Sequence, residues 1–231
     1  MNAAALSVII PVRSEAQALP LLLADLVPLR AAGAQLIVVD GGSDDGTREQ
    51  AAGPVDQLLQ SEPGRARQMN ACAAVANGEY LWFVHADTRV GAPAVASLLD
   101  VLARRPCWGR FDVSLSAPGL AFRLIGSMIN LRSRLTGVAS GDQGIFVARA
   151  TFDVLGGYAQ IPLMEDLELC RRLKRLARPQ CLRPPLSTSS RRWERGGVWP
   201  TVLLMWRLRL AYYCGASPEQ LARQYYRGPP L

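Results

Sequence analysis

The sequence predicts an α/β domain in which a mostly parallel sheet is covered by helices on both faces, followed by an α+β second half and a helical tail. Three observations predict it. Short, continuous apolar runs rich in β-branched or aromatic residues (LSVIIP, QLIVVD, YLWFV) alternate with longer Leu- and Ala-rich stretches that carry helix signals. Each run ends in polar, turn-forming residues, as strands do when they feed loops at one edge of a sheet. After Ala117-Pro118-Gly119 the alternation breaks down.

Leu6 to Pro11 is the first strand, and Leu19 to Leu29 is a helix with Pro20 in its first turn, where no N–H is needed. Gln35 to Asp40 is a second buried strand. The GGSDDGT segment after it is a turn, and a helix begins near Thr47. Val55 to Leu59 is a weaker third strand. Gly64 opens an Ala-rich helix through Ala76, Asn77-Gly78 stops it, and Tyr80 to Val84 is a fourth strand ending at His85-Ala86-Asp87. Ala92 to Arg104 is helical, and Trp108 to Leu115 is another strand. In the second half Leu120 to Leu135 reads as an amphipathic helix, Gly144 to Ala148 as a short strand and Glu165 to Ala177 as a helix. From Val198, VWPTVLLMWRLRLAYYC forms a helical, basic amphipathic tail. No repeat or low-complexity linker appears, so residues 1–117 and 118–197 are halves of one domain, with 198–231 as the tail.

Composition narrows the chemistry. The chain has 231 residues, 49% hydrophobic and 19% charged, enough to bury a full core and too apolar for disorder. It contains no apolar run of about 18 residues that would span a membrane. The start lacks a signal-peptide pattern, because Pro11 and Arg13 interrupt its apolar run, so a cytoplasmic location is expected. Cys72, Cys107, Cys170, Cys181 and Cys214 show no CxxC or zinc spacing and read as reduced thiols. Lys174 is the only lysine and His85 the only histidine, which excludes a GKS/GKT phosphate loop and leaves one imidazole for any triad. Residues 171–231 hold thirteen Lys and Arg against Glu194 and Glu219, a balance of +11, whereas residues 1–170 carry −4. That asymmetry suits nucleic acid, an anionic membrane or a phosphorylated substrate, and equally a solvated helical surface.

In an open parallel sheet, ligands bind beyond the carboxyl ends of the strands. Glu15 follows the first strand, Asp40 ends the second with Asp44 and Asp45 beyond it, and His85 and Asp87 follow the fourth. Asp44 and Asp45 serve a turn equally well. Carboxylates alone repel a phosphate, so an anionic ligand here calls for arginines or a divalent cation. Asp87 is the better ligand, for Mg²⁺ or Mn²⁺, and an imidazole from His85 tilts the choice toward Mn²⁺; His85 alternatively serves as a neutral hydrogen-bonding residue. Arg65 and Arg67, beside Gly64 at a helix N-terminus, suit a diphosphate or simply solvent.

Taken in order, IIPVRSE, IVVDGGSDDGT, GRARQMNACAAVANGEYLWFVHADT, GDQGIFVARATFDVLGGY, MEDLELCRRLKR and SSRRW resemble the successive motifs of the family 2 glycosyltransferases, over roughly residues 5 to 195. The nearest likeness is to short bacterial members associated with radical SAM or selenium-linked proteins, or with arsenosugar biosynthesis. The resemblance implies the GT-A fold and a nucleotide-sugar donor, UDP-linked by preference. It makes residues 1–117 the nucleotide-binding half and 118–197 the acceptor half. It also implies that Pro11, Glu15 and Asp40 hold base and ribose, with Asp40 accepting the uracil imide hydrogen. Asp87 then matches the metal-binding carboxylate of a DxD signature whose first Asp is replaced by His85. Asp166, with Glu165 beside it, matches the catalytic base, and Arg191, Arg192 and Trp193 match a basic-aromatic motif that meets diphosphate or acceptor. The implied reaction is a single inverting displacement by an acceptor hydroxyl. Judged on the residues alone, Asp166 also serves as a negative charge at a helix N-terminus.

Two alternatives compete with this reading. A sugar nucleotidyltransferase calls for a Gly-rich loop with a Lys or Arg soon after the first strand, and PVRSE lacks the glycines; a non-catalytic nucleotide-sugar sensor differs only in lacking transfer. No nucleic-acid partner is expected, because the carboxylates gather at the sheet edge. The tail, with Trp199, Trp206, Tyr212 and Tyr213, suits a peripheral membrane contact on the inner face and a lipid-linked acceptor; packing on the domain or a homodimer are equally open.

Overall fold

Strands buried on both faces need no alternation, which is why β1 (Leu6–Val12), β2 (Gln35–Asp40) and β4 (Tyr80–Phe83) read as continuous apolar runs. The computed structural model describes residues 5–226. Its eight-stranded sheet adds β3 (Gln57–Gln60), β5 (Thr88–Arg89), β6 (Trp108–Leu115), β7 (Phe146–Ala148) and β8 (Gln180–Thr188), in the order β3-β2-β1-β4-β7-β6-β8-β5. Strands β3, β2, β1 and β4 are parallel. β7 runs antiparallel to both β4 and β6, β8 is parallel to β6, and β5 is antiparallel to β8. The mostly parallel α/β class is as the sequence predicts.

Side chains alternate across the sheet and divide the core in two. Leu6, Val8 and Ile10 of β1 face a cluster built with α1 (Leu19–Ala31) and α4 (Ala92–Leu102). Ile9 faces the other cluster, with α3 (Arg65–Val75) and α7 (Glu165–Leu176). Between these lie α2 (Thr47–Ala51), α5 (Leu120–Thr136) and α6 (Arg149–Val154), and the tail folds as α8 (Arg191–Gly196), α9 (Val198–Tyr213) and α10 (Pro218–Tyr226).

Two elements depart from expectation. β8 has no counterpart in the sequence reading, because Pro184 and Pro185 argue against a strand. In the structure both prolines are exposed, opposite a register shift between Phe111 and Val113, and beyond the short reach of β5, so no ladder donor is lost there. The second is α5, an amphipathic helix as the sequence reads, which turns its apolar stripe away from the core. Leu120, Leu124, Leu131 and Leu135 are exposed instead, at 54 to 81%. Its inner face pairs the buried Ile125 with small and polar residues: Gly126 approaches the Val113 carbonyl closely, and Asn130 spans the Val113 backbone, donating to its C=O at 2.9 Å and accepting from its N–H at 2.8 Å. One amide thereby completes a stretch of β6 that has no partner strand on that side.

Within the tail α10 is amphipathic, with Leu221 and Ala222 buried, whereas α9 is not amphipathic in the usual sense. Leu208 of α9 and Leu221 of α10 are buried in the second core cluster, while Trp199, Leu203 and Trp206 point outward, so α9 is apolar on both sides. Among the described residues no helix is long and apolar enough to cross a membrane.

The Asn130 clasp predicts a measurable loss. Asn130→Leu keeps the size but leaves a buried N–H and C=O unpaired at about 1–3 kcal/mol each, so urea unfolding should show roughly 2–4 kcal/mol of destabilisation. A loss below about 0.5 kcal/mol would mean that those groups find other partners.

Candidate active site

The loops after β1 and β2 are stitched together by hydrogen bonds. Ser14 N–H donates to Ser43 Oγ at 2.8 Å, Glu15 N–H to Thr47 Oγ1 at 2.8 Å and Ala16 N–H to Asp45 Oδ2 at 3.1 Å. Beneath them the buried Gln68 amide of α3 donates to the carbonyls of Val12 at 2.9 Å and Val39 at 3.0 Å, tying the ends of both strands to the helix. Gln68 was not singled out from the sequence, because nothing in GRARQMN marks it as facing a sheet end.

Several predicted residues fall into place around this platform. Pro11 lies in β1 opposite Val39. Asp40 is fully buried and its carboxylate accepts from the Ser43 backbone N–H at 3.1 and 3.2 Å and from the Ser43 hydroxyl. The oxygens expected to face a base are therefore also engaged in Asp40's own turn, Oδ1 by both the N–H and the hydroxyl of Ser43 and Oδ2 by the N–H alone. Asp45 likewise accepts from Thr47. Arg191, at the start of α8, grips Glu15 through both oxygens at 2.8 and 3.0 Å and reaches Asp87 at 3.4 Å. Burial pushes the Glu15 carboxyl up despite that guanidinium.

Gly141 joins the two halves of the site. Its N–H donates to Asp166 Oδ2 at 2.7 Å, and a Cβ on it would lie 2.6 Å from His85 Nε2. His85 and Asp166, 81 positions apart in sequence, thus meet across one residue that has no side chain. Asp166 Oδ1 also accepts from Leu167 N–H at 2.7 Å in the first turn of α7. Glu165 beside it is 6% exposed, and burial together with the Asp166 charge pushes its carboxyl up to about 7, against the pull of Arg65. Burial and Arg65 press the His85 imidazole down, so it is neutral at pH 7. Arg65 is exposed at the N-terminus of α3 and lies within electrostatic range of Glu165 and Asp142, whereas Arg67 turns away to pair with Glu62.

A divalent cation would find the Asp87 carboxylate and a neutral imidazole here. Among the described residues no group of three or more His, Cys, Asp or Glu converges on one point. An ion at this place would take most of its ligands from diphosphate oxygens and water, which is how Mg²⁺ and Mn²⁺ bind beside phosphates. The packing of His85 Nε2 on Gly141 leaves Asp87 the more accessible donor.

The tail supplies a residue absent from the sequence reading. Tyr225 of α10 lies 3.5 Å beneath the Arg192 guanidinium, which also donates to the Tyr225 carbonyl at 3.3 Å. Tyr225 stands within electrostatic range of Arg65 and Asp142 as well, so α10 returns to the wall of the site. Its sequence signal, the pair Tyr225-Tyr226, lies beyond the last element that patterning identified. Trp193 is half-buried on α8.

Residues 7–150 match the family described as glycosyl transferase family 2. No curated protein sequence matches the chain significantly. The fold is similar to that of TarS residues 1–349 from S. aureus, with a TM-score of 0.66 at 16% identity, covering 95% of this chain and 70% of that one. The same protein in complex with UDP-GlcNAc aligns with a TM-score of 0.62 at 16% identity over 80% of this chain; the chain matches only 58% of its length. The mannosyltransferase PcManGT from Pyrobaculum calidifontis, in complex with GDP-Man and Mn²⁺, has a TM-score of 0.63 at 18% identity, covering 96% of this chain and 69% of its own. The architecture is the GT-A fold.

The buried Glu165 gives the site a pH signature. Its carboxyl titrates near 7 when folded against an ordinary 4.5, so the folded chain holds a proton that the unfolded chain has lost between those values. Stability therefore falls as pH rises from about 4.5 to about 7 and levels off above, by at most about 3 kcal/mol. Glu165→Gln should remove that slope, so that in urea unfolding the variant gains on wild type at pH 8 relative to pH 5. An equal difference at both pH values would show that Glu165 is ionised in the fold.

Proposed function

The chain belongs to glycosyl transferase family 2, and on that premise we propose that it moves a sugar from a UDP-linked donor to an acceptor hydroxyl in a single inverting displacement assisted by a divalent cation. The observation that carries this reading is the junction at Gly141, where the first turn of α7 and the loop after β4 converge. It brings a carboxylate able to take a proton next to the residues suited to the diphosphate end. In this reading residues 1–117 hold the nucleotide, residues 118–197 the acceptor, and 198–231 form a tail that closes one wall.

Asp166 is the base. Its Oδ2 is oriented by Gly141 N–H, and it accepts the acceptor hydroxyl proton as that oxygen bonds to the anomeric carbon and the bond from carbon to diphosphate oxygen breaks. One displacement inverts the anomeric configuration. Arg65 and Arg191 lie where the departing diphosphate gathers negative charge, and both keep their charge at any working pH. Mn²⁺ or Mg²⁺, held by Asp87 with His85, would supply further neutralisation of that charge when bound. Arg191 bridges Glu15 and Asp87 and so balances the same carboxylates. Pro11, Glu15 and Asp40 form the nucleoside end. Arg192 and Trp193 lie on the acceptor side with Tyr225.

Several features support the finer parts of the reading without naming a sugar. Solved structures of the same fold carry UDP-GlcNAc in one case and GDP-Man with Mn²⁺ in another. The motif likeness to the short bacterial enzymes linked to radical SAM, selenium or arsenosugar proteins belongs to this proposal. Five unpaired cysteines suit a reducing, cytoplasmic setting.

Two measurements test it. Calorimetric titration should show UDP binding that strengthens with Mn²⁺ in wild type and loses that dependence in Asp87→Ala; equal affinity in EDTA would remove the metal from the proposal. Asp166→Asn should lower transfer by about 10²- to 10⁴-fold while leaving the Kd for UDP nearly unchanged. Near wild-type transfer by that variant would reduce Asp166 to a helix-terminal charge and move the search for the base to Asp142 or Glu165.

A further inference from the structure

Two helices present unpartnered apolar faces to solvent. On α9, Trp199, Leu203, Trp206, Leu210 and Tyr213 are 53 to 67% exposed and follow one another at alternating spacings of four and three, one straight stripe about 21 Å long. On α5 the outward Leu residues described above form a second stripe. Neither is explained by packing within the chain, since the inner faces of both helices are already occupied, by Gly126 and Asn130 on α5 and by Leu208 on α9.

The charges around these stripes select the occupant. α5 carries Arg123 and Arg132, its Arg134 being paired with Asp112 of β6 at 2.7 Å, α9 carries Arg207 and Arg209, and neither helix has a carboxylate. The two helices approach each other where Arg132 comes within electrostatic range of Arg209 and Tyr213. There Arg132 Nε and Nη2 are buried without a hydrogen-bond partner, and Arg132 also lies within electrostatic range of Asp166 and Asp142 on the side of the candidate site. A second copy of this chain would bring arginine against arginine with no carboxylate on either helix to offset them. A surface of anionic headgroups over acyl chains satisfies both features, accepting the Leu side chains below and the arginines above, with Trp and Tyr at the boundary.

We propose that the outward faces of α5 and α9 seat the protein on an anionic lipid bilayer. The docking face goes beyond the glycosyl-transfer reading and stands or falls separately from it.

Co-sedimentation of the full chain with vesicles tests the proposal. Binding to phosphatidylcholine vesicles containing one third phosphatidylglycerol is expected, with little binding to phosphatidylcholine alone and a loss as salt is raised. The double variant Trp206→Ser/Leu210→Ser should lower the partition coefficient by about tenfold or more, and Arg123→Gln/Arg207→Gln should weaken binding to the anionic vesicles only. Retention of UDP binding by each variant would establish that it is folded. Absence of binding to both vesicle types by wild type, or equal binding by wild type and the Ser variant, would overturn the proposal. So would sedimentation equilibrium showing a wild-type dimer that the Ser variant breaks, since the face would then belong to a second copy. A wild-type chain that binds vesicles but not UDP would support the docking face and remove the donor reading instead.

Discussion

The site depends on Gly141 having no side chain. Its backbone lies between the imidazole of His85 and the carboxylate of Asp166, accepting the packing of one and donating a hydrogen bond to the other. The sheet places it there. Because β7 inserts antiparallel between β4 and β6, the 3₁₀ turn Gly141–Gln143 that precedes β7 lands beside the loop that follows β4. Phe83 N–H donating to the Ile145 carbonyl at 2.9 Å and Trp82 Nε1 donating to the Gly144 carbonyl at 3.2 Å hold that approach from below. A methyl group at 141 would push the two loops apart, and with them His85 and Asp166.

Around this junction the electrostatics are arranged as a balance of close charges in a partly dry crevice. Arg191 holds Glu15 and Asp87, and Arg65 offsets Glu165 and Asp142. On the proposed reading, a diphosphate entering with a cation would add both signs at once, so that these pairs exchange partners without leaving a charge uncompensated. The stitched loops beneath, with Gln68 between the ends of β1 and β2, keep the platform from reorganising as that exchange occurs.

The tail serves two surfaces at once. Its inner side completes the second core cluster through Leu208 and Leu221 and brings Tyr225 under Arg192, while its outer side leaves the Trp199 to Tyr213 stripe in solvent. α5 shows the same division in reverse of the usual order, with a polar amide inward and leucines outward. Apolar periodicity identifies a helix without saying which face meets the core, because that depends on the element it packs against. Here that element is a strand whose backbone needs hydrogen bonds more than it needs side-chain contact.

By itself the sequence determined the first four strands of the parallel sheet, their helices and the loops that bear Glu15, Asp40, His85 and Asp87. All of these rest on signals confined to a dozen neighbouring residues: apolar runs, helix stops and turn chemistry. The family motifs added Asp166, Arg191 and Arg192. The tertiary structure alone decided the rest. β8 became a strand because β6 and β5 pair with residues that its prolines leave free, and Tyr225 reached the site because α10 folds back over a core formed far away in sequence. Asp40 was turned inward by a serine three residues on, a choice between solvent, ligand and turn that local composition leaves open. Gly141 mattered only once β7 was placed between β4 and β6, since a close approach of two backbones is a property of the pairing and not of either segment.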